Sequence, residues 1–220
     1  MTNNTLKRII LFDIDYTLWH TDHFRDLLYP QLAKETGYTL EEFFSLAKEI
    51  DGQTKKQKGF LHLDTWLTLI HKAAQTNVSK ETLQKLLWEE TLYTESLEKN
   101  IAETLTTLRN RGYTLGIFST GEKLFQEKKL TSIDHLFTHE HVYIFNDKVS
   151  EMEMVLQKYA TDEIIIVDDL PKVLSTAKQV NPTIITVLRT SNKRYETTPQ
   201  DAGFKPDYSI KQLGELLTII

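Results

Sequence analysis

Ile9-Ile10-Leu11-Phe12-Asp13-Ile14-Asp15-Tyr16-Thr17 is the stretch on which the fold turns. Four apolar residues follow Lys7 and Arg8 and stop at two carboxylates. An unbroken apolar run of this kind fits a strand buried on both faces, as in a parallel sheet. Aspartates placed directly after such a strand stand at its C-terminal edge, where open α/β sheets bind ligands.

Working outward, apolar runs recur at residues 113–118, 164–167 and 183–188, with a weaker one at 142–145 and an edge candidate at 208–210. Helical periodicity fills residues 101–111, 150–159, 171–179 and 212–217. Strands alternating with helices predict the α/β class: a Rossmann-like parallel sheet flanked by helices. Gly112 stands where a C′ glycine closes the preceding helix. Residues 19–100 hold no strand-like run, only helical spacing at 23–36, 40–50, 63–75 and 80–93. This predicts an all-helical domain, 19–100, inserted into a core made of residues 1–18 and 101–220. Ser79 is a good N-cap for the last of those helices, with Thr82 rather than Glu at the capping-box position. Residues 51–59, lysine-rich with two glycines, are expected to form a loop.

The 220 residues, 40% hydrophobic and 26% charged, suffice for a real core in a soluble globular protein. A net charge of −5 and a pI near 5.8 offer no basic surface for a nucleic-acid backbone and disfavour an anionic membrane. Without cysteine there are no disulfides, thiolate metal sites or thiol nucleophiles, so any nucleophile is oxygen or nitrogen. No apolar run approaches the ~20 residues of a membrane span. Residues 1–8 are too polar and too short for a signal peptide, which leaves the cytoplasm as the default location.

Polar residues gather at the ends of the predicted strands. Ser119 and Thr120 follow 113–118, Asp168 and Asp169 follow 164–167, and Lys148 precedes the helix leading into that last strand. Alone, the Asp13–Asp15 pair would read as a turn cap beside a solvated charge. Three strand ends delivering polar side chains to one face read as a site.

The set resembles the haloacid dehalogenase superfamily. Its first motif, Asp-x-Asp-x-Thr after a buried strand, is matched by Asp13, Asp15 and Thr17; its second by Ser119; its third by Lys148; its fourth by Asp168 and Asp169. The four appear in the family's order, and the helical insert after the first motif resembles the family's C1 cap. Two positions depart from the common pattern: Tyr16 stands where glycine is frequent, and Val149 where proline often follows the lysine. Some members carry a further aspartate where this chain has Lys172 and Val173; the adjacent pair Asp168 and Asp169 is the family's alternative.

The resemblance implies a magnesium-dependent phosphatase acting on a small phosphorylated metabolite, with no nucleic acid or membrane partner, as a monomer or homodimer. Asp13 is then the nucleophile that forms an aspartyl-phosphate, and Asp15 the general acid and base, with a pKa raised toward neutrality. Ser119, Thr120 and Lys148 hold the phosphoryl oxygens, and Thr17 supports the first loop. Asp13, Asp168, Asp169 and the Asp15 backbone carbonyl surround Mg2+, which prefers a few carboxylates and retained waters.

A dehalogenase would not need Asp15 as an acid for phosphoryl transfer, whereas a phosphoglucomutase-like phosphotransferase would use the same core and stays open. A non-catalytic phosphate-binding protein would be marked by loss of these residues. Nucleotide-binding or phospho-receiver folds share the sheet, but no Walker sequence or G-x-G-x-x-G follows the first strand. His135, His139 and His141 lack the helical i, i+4 zinc spacing and are expected to pack or lie exposed. Trp19, Trp66 and Trp88 are expected in the core of the insert, with Trp19 and Tyr16 near enough to line the pocket.

Overall fold

The computed structural model describes residues 7–159, 162–190 and 203–220. Residues 1–6, most of the polar N-terminal stretch read above, lie outside it. Six strands form one parallel sheet in the order β3-β2-β1-β4-β5-β6. They are β1 (Arg8–Phe12), β2 (Tyr113–Thr120), β3 (Val142–Phe145), β4 (Glu163–Asp168), β5 (Ile185–Arg189) and β6 (Tyr208–Ile210).

The continuous apolar run of β1 is explained by helices on both faces. Ile9 and Leu11 pack with Val155 of α8 (Met152–Gln157) and Leu174 of α9 (Pro171–Val180). Ile10 and Phe12 face the other way, into a cluster with Leu105 of α6 (Ile101–Asn110) and Phe125 of α7 (Lys123–Leu130). A short α10 (Leu216–Ile219) closes the same side. Gly112, at φ +86, follows α6 as expected. Gly116 in β2 has a different reason: a Cβ there would meet the His141 carbonyl oxygen at 2.5 Å and Leu11 Cδ2 at 2.8 Å, so only glycine admits the turn that feeds β3.

Strand β1 has β2 on one side and β4 on the other, so the crossovers part around it and open a crevice at the sheet's C-terminal edge. Phe12 is aligned with Ile117 and with Val167, which brings Asp13, Ser119 and Asp168 to that edge together.

The insert comprises α1 (Thr21–Thr36), α2 (Leu40–Lys58), α3 (Leu63–Ala73), α4 (Lys80–Leu87) and α5 (Glu90–Glu95), with α1 packed on the other four. Two linkers join it to the sheet and pair with each other: the His20 N–H donates to Ser96 O at 2.7 Å, and the Glu98 N–H to Leu18 O at 3.0 Å. Glu98 is held in turn by Arg189 Nη2 at 2.8 Å and His20 Nε2 at 2.7 Å, which ties the linkers to the end of β5.

Two expectations are corrected. Residues 51–58 are not a loop but the last turns of α2, which ends at Gly59 with φ +81. Gly52 costs about 1 kcal/mol in a helix, yet Gln, Thr and Lys neighbours continue it, and buried Thr54 donates to Ile50 O at 2.9 Å. The helix expected over 80–93 breaks at Trp88 and Glu89 because the Tyr93 hydroxyl reaches back to the Leu87 carbonyl at 2.9 Å, satisfying the end of α4. Ser79 caps α4 as expected, accepting from the Thr82 N–H at 3.1 Å. Trp19 and Trp66 are buried and Trp88 half-buried in the insert.

Candidate active site

Asp13 continues the ladder of β1, its N–H donating to Val167 O at 2.9 Å, and its carboxylate is buried at the crevice. Ser119 Oγ donates to Asp13 Oδ1 at 3.0 Å. Lys148 is only 2% exposed and bridges two carboxylates, with Nζ 2.5 Å from Asp13 Oδ1 and 2.5 Å from Asp168 Oδ2. Its backbone N–H donates to Thr120 Oγ1 at 3.2 Å, which fixes the loop that presents it. The Leu170 N–H holds the other oxygen of Asp168 at 2.9 Å. Thr17 is buried beneath the first loop, whose turn is closed by its N–H to Ile14 O at 3.2 Å.

Asp13, Asp168 and Asp169 each offer an oxygen within 4.8 Å of the others. Three carboxylates are gathered here in a buried setting, and burial raises the carboxyls of Asp13 and Asp168 despite Lys148, Asp168 to about 7. Burial works against the charge on Lys148, but its two carboxylate partners more than reverse this and push its pKa up. Such an oxygen-only, anion-rich set suits a hard divalent cation such as Mg2+. The Asp15 side chain is not in this group; only its backbone carbonyl was expected there.

The raised Asp168 carboxyl sets an expected result. Because Asp168 titrates above its ordinary value of 3.8, the metal-free native protein keeps a proton that the unfolded chain loses. Stability therefore falls as pH rises from about 4 to 7. Saturating Mg2+ raises Tm by about 5–10 °C at pH 7.5, from about 2.7 kcal/mol at a hundredfold excess over Kd, and by less at pH 5, where protons compete. Thermal melts with Mg2+ and with EDTA at the two pH values measure it; an equal shift at both would contradict the assignment.

Asp15 departs from expectation. Its carboxylate is clamped by Lys129 Nζ at 2.8 Å to both oxygens, by Gln126 Nε2 at 2.8 Å and by Thr21 Oγ1 at 2.6 Å. Burial alone would raise its pKa; the Lys129 ammonium and these hydrogen bonds outweigh burial and hold it down to about 2. Charge pairing wins over desolvation because Lys129 is itself buried, where its field is little screened. Lys129 also lies over the faces of Trp19 and Phe125, at 4.4 and 4.2 Å from the ring centroids.

Neither Gln126 nor Lys129 was singled out from the sequence. Their signal was i, i+3 spacing on α7, the helix beginning after Glu122, which turns both toward Asp15. Ser119 does not cap that helix: it lies within β2, and Glu122 is the N-cap residue. Glu122 also accepts from the Leu63 N–H at 2.7 Å, linking α7 to the start of α3 in the insert. Tyr16 sits in the left-handed region at φ +60, a conformation that favours glycine, and its hydroxyl donates to Asp22 at 2.8 Å.

Above the carboxylates lies a cavity of about 420 Å³ between sheet edge and insert. Asp13, Asp15, Thr120, Lys148 and Asp169 line its floor, and Tyr16 and Trp19 its walls. His135, His139 and His141 do not line it; His141 pairs through Nδ1 with the Tyr159 hydroxyl at 2.7 Å.

A parallel sheet carrying acidic strand ends at its switch point, under a helical insert, defines a class of α/β hydrolases. Residues 7–181 match the haloacid dehalogenase-like hydrolase family, and the chain belongs to that family. Comparison with curated protein sequences gives no match. The fold is shared over nearly the whole length with solved structures of low identity. A haloacid dehalogenase-like hydrolase from Burkholderia xenovorans is 20% identical with a TM-score of 0.78, covering 98% of this chain and 97% of that one. The hydrolase YfnB from Bacillus subtilis, bound to magnesium, is 16% identical with a TM-score of 0.66, covering 98% and 99%. A phosphatase of the family from Thermococcus onnurineus is 24% identical with a TM-score of 0.59, covering 97% of each chain. Among the described residues no helix is long and apolar enough to cross a membrane.

Proposed function

We propose that this hydrolase is a Mg2+-dependent phosphatase that cleaves small phosphate monoesters through an aspartyl-phosphate on Asp13, with residues 19–100 as a cap over the core. The observation that carries the reading is the second carboxylate, Asp15, lining the same cavity as the buried, ion-paired Asp13 and Lys148. Hydrolysis at carbon has no need of that second carboxylate at the leaving oxygen. Asp13, Asp168 and Asp169 would hold the cation, which neutralises phosphate charge so that an anionic nucleophile can approach. The magnesium bound by YfnB and the presence of a phosphatase from Thermococcus onnurineus among the similar structures agree with this.

In the first half-reaction a carboxylate oxygen of Asp13 attacks phosphorus, the bond to the ester oxygen breaks, and Asp15 gives that oxygen a proton. In the second, water attacks phosphorus, Asp15 takes its proton, and the bond to Asp13 breaks, releasing phosphate. Ser119, Thr120 and Lys148 would stabilise the transferring oxygens. As it stands, Asp15 is ionised and ready for the second half-reaction. A phosphate dianion arriving beside it pushes its proton affinity up for the first.

Turnover of para-nitrophenyl phosphate and of a panel of phosphate esters, with Mg2+ and with EDTA, tests the proposal. Cation-dependent release of phosphate is the expected result, and silence on every ester would overturn it. A second expectation concerns the clamp. In Lys129→Met the partner that holds Asp15 down is gone, so the acid limb of kcat, where Asp15 must be ionised, moves up by about one pH unit or more. The pH profile of kcat measures this, and an unmoved limb would remove Asp15 from the proton-transfer role.

A further inference from the structure

The cavity continues past the carboxylates into the insert, and what lines that end bears on the alcohol part of the ester. At about 420 Å³ it is far roomier than a phosphoryl group needs and falls in the range of sites for drug-sized molecules. Its walls are aromatic: Trp19, Phe24 and Phe125 pack ring on ring, with Trp19–Phe24 centroids at 4.7 Å and Phe24–Phe125 at 6.0 Å. Tyr29 and Trp66 stack at the far end, at 6.3 Å and an interplanar angle of 20°.

The charged groups at that end are already matched to one another. Arg25 Nη1 reaches the Tyr16 hydroxyl and Asp22 Oδ1, each at 3.4 Å, and Arg25 Nη2 stands 3.6 Å from Asp51 Oδ2. Asp51, on the stretch of α2 expected to be a loop, is 16% exposed. It faces Lys55 one turn further along the helix and the indole of Trp66 as well as Arg25. Within the lining, Asp51 thus stands against Arg25 and Lys55, and Asp22, exposed outside the cavity, takes up Arg25 from the other side. An ester tail carrying its own carboxylate or second phosphate would find Arg25 engaged and Asp51 repelling it.

We propose, resting on the phosphatase reading above, that this site takes phosphate monoesters of uncharged aromatic or similarly flat apolar alcohols. Asp51 is the specificity-determining residue that turns away anionic tails. It does so by neutralising Arg25 and by placing a fixed negative charge at the far end of the cavity. A built-in repulsive element of this kind discriminates between partners that share the same reacting group.

The test compares kcat/KM for phenethyl phosphate, an uncharged aromatic ester, with that for phosphoglycolate, a small ester with a carboxylate tail. Both are measured with Mg2+ on the parent and on Asp51→Asn. The readout is the ratio of the two constants within one preparation, which is independent of how much of the variant is folded. The parent should favour phenethyl phosphate at least tenfold. In Asp51→Asn, with Arg25 uncovered, the ratio should fall at least tenfold as phosphoglycolate improves relative to the aromatic ester. A parent that prefers phosphoglycolate, or a ratio unchanged in Asp51→Asn, overturns the inference while leaving the phosphatase reading intact. A parent that hydrolyses neither these esters nor para-nitrophenyl phosphate overturns the phosphatase reading itself.

Discussion

Asp13→Asn is expected to lower kcat by about 10⁴-fold or more, the scale seen when a nucleophile that acts within a catalytic group is removed. It should do so without lowering the Tm of the metal-free protein. The first half follows from chemistry, since the amide has no anionic oxygen to form the bond to phosphorus. The second follows from the surroundings. Asp13 is buried beside Asp168 and Asp169, and its carboxyl is raised by burial more than Lys148 lowers it. Its charge is therefore a cost to the fold in the absence of a cation. The amide keeps an oxygen to accept from Ser119 Oγ, and Lys148 keeps Asp168 as its partner. The same variant should show a smaller Mg2+-induced rise in Tm than the parent, because one of three carboxylates near the cation is gone. Activity within tenfold of the parent would show that another group attacks phosphorus. A large loss of Tm in EDTA would show instead that the carboxylate serves the fold.

Much of the candidate site is legible in the sequence because it depends on strand ends. Asp13, Ser119 and Asp168 each follow an apolar run, and parallel register alone brings them to one edge. Lys148 was found by its order in the chain, and its buried bridge between Asp13 and Asp168 has no local signal, since loop lysines are ordinarily solvated. The clamp on Asp15 was missed for a related reason. Lys129 and Gln126 sit on a helix whose apolar face is weakly marked, so nothing in α7 announces that two polar side chains are buried. Burial without the ammonium that accompanies it would set the Asp15 pKa in the opposite direction. The loop expected at residues 51–59 is instead helix, because two glycines weigh less than the helical run around them, and nothing local marks Asp51 as a residue that lines the cavity.

Lys148→Met should be strongly destabilising in the metal-free protein. The substitution keeps the length of the side chain and removes the one ammonium between Asp13 and Asp168, both of which are buried. Breaking a buried ion pair by deleting one partner costs about 3–5 kcal/mol, which for a chain of this size lowers Tm by about 6–20 °C. The loss should depend on conditions in a way that a packing defect would not. At pH 5 a carboxylate that titrates near 7 is protonated, as Asp168 is in the parent, so the repulsion and the deficit both shrink. Saturating Mg2+ at pH 7.5 should also shrink it, because a cation among the same carboxylates replaces part of the missing charge. Turnover should still fall by about 10²–10³-fold with Mg2+ present, since a donor to the transferring oxygens is lost. Thermal melts across the two pH values and two metal conditions, beside steady-state rates, separate these effects. A deficit of the same size in all four conditions would mean that Lys148 holds the fold by contact rather than by charge.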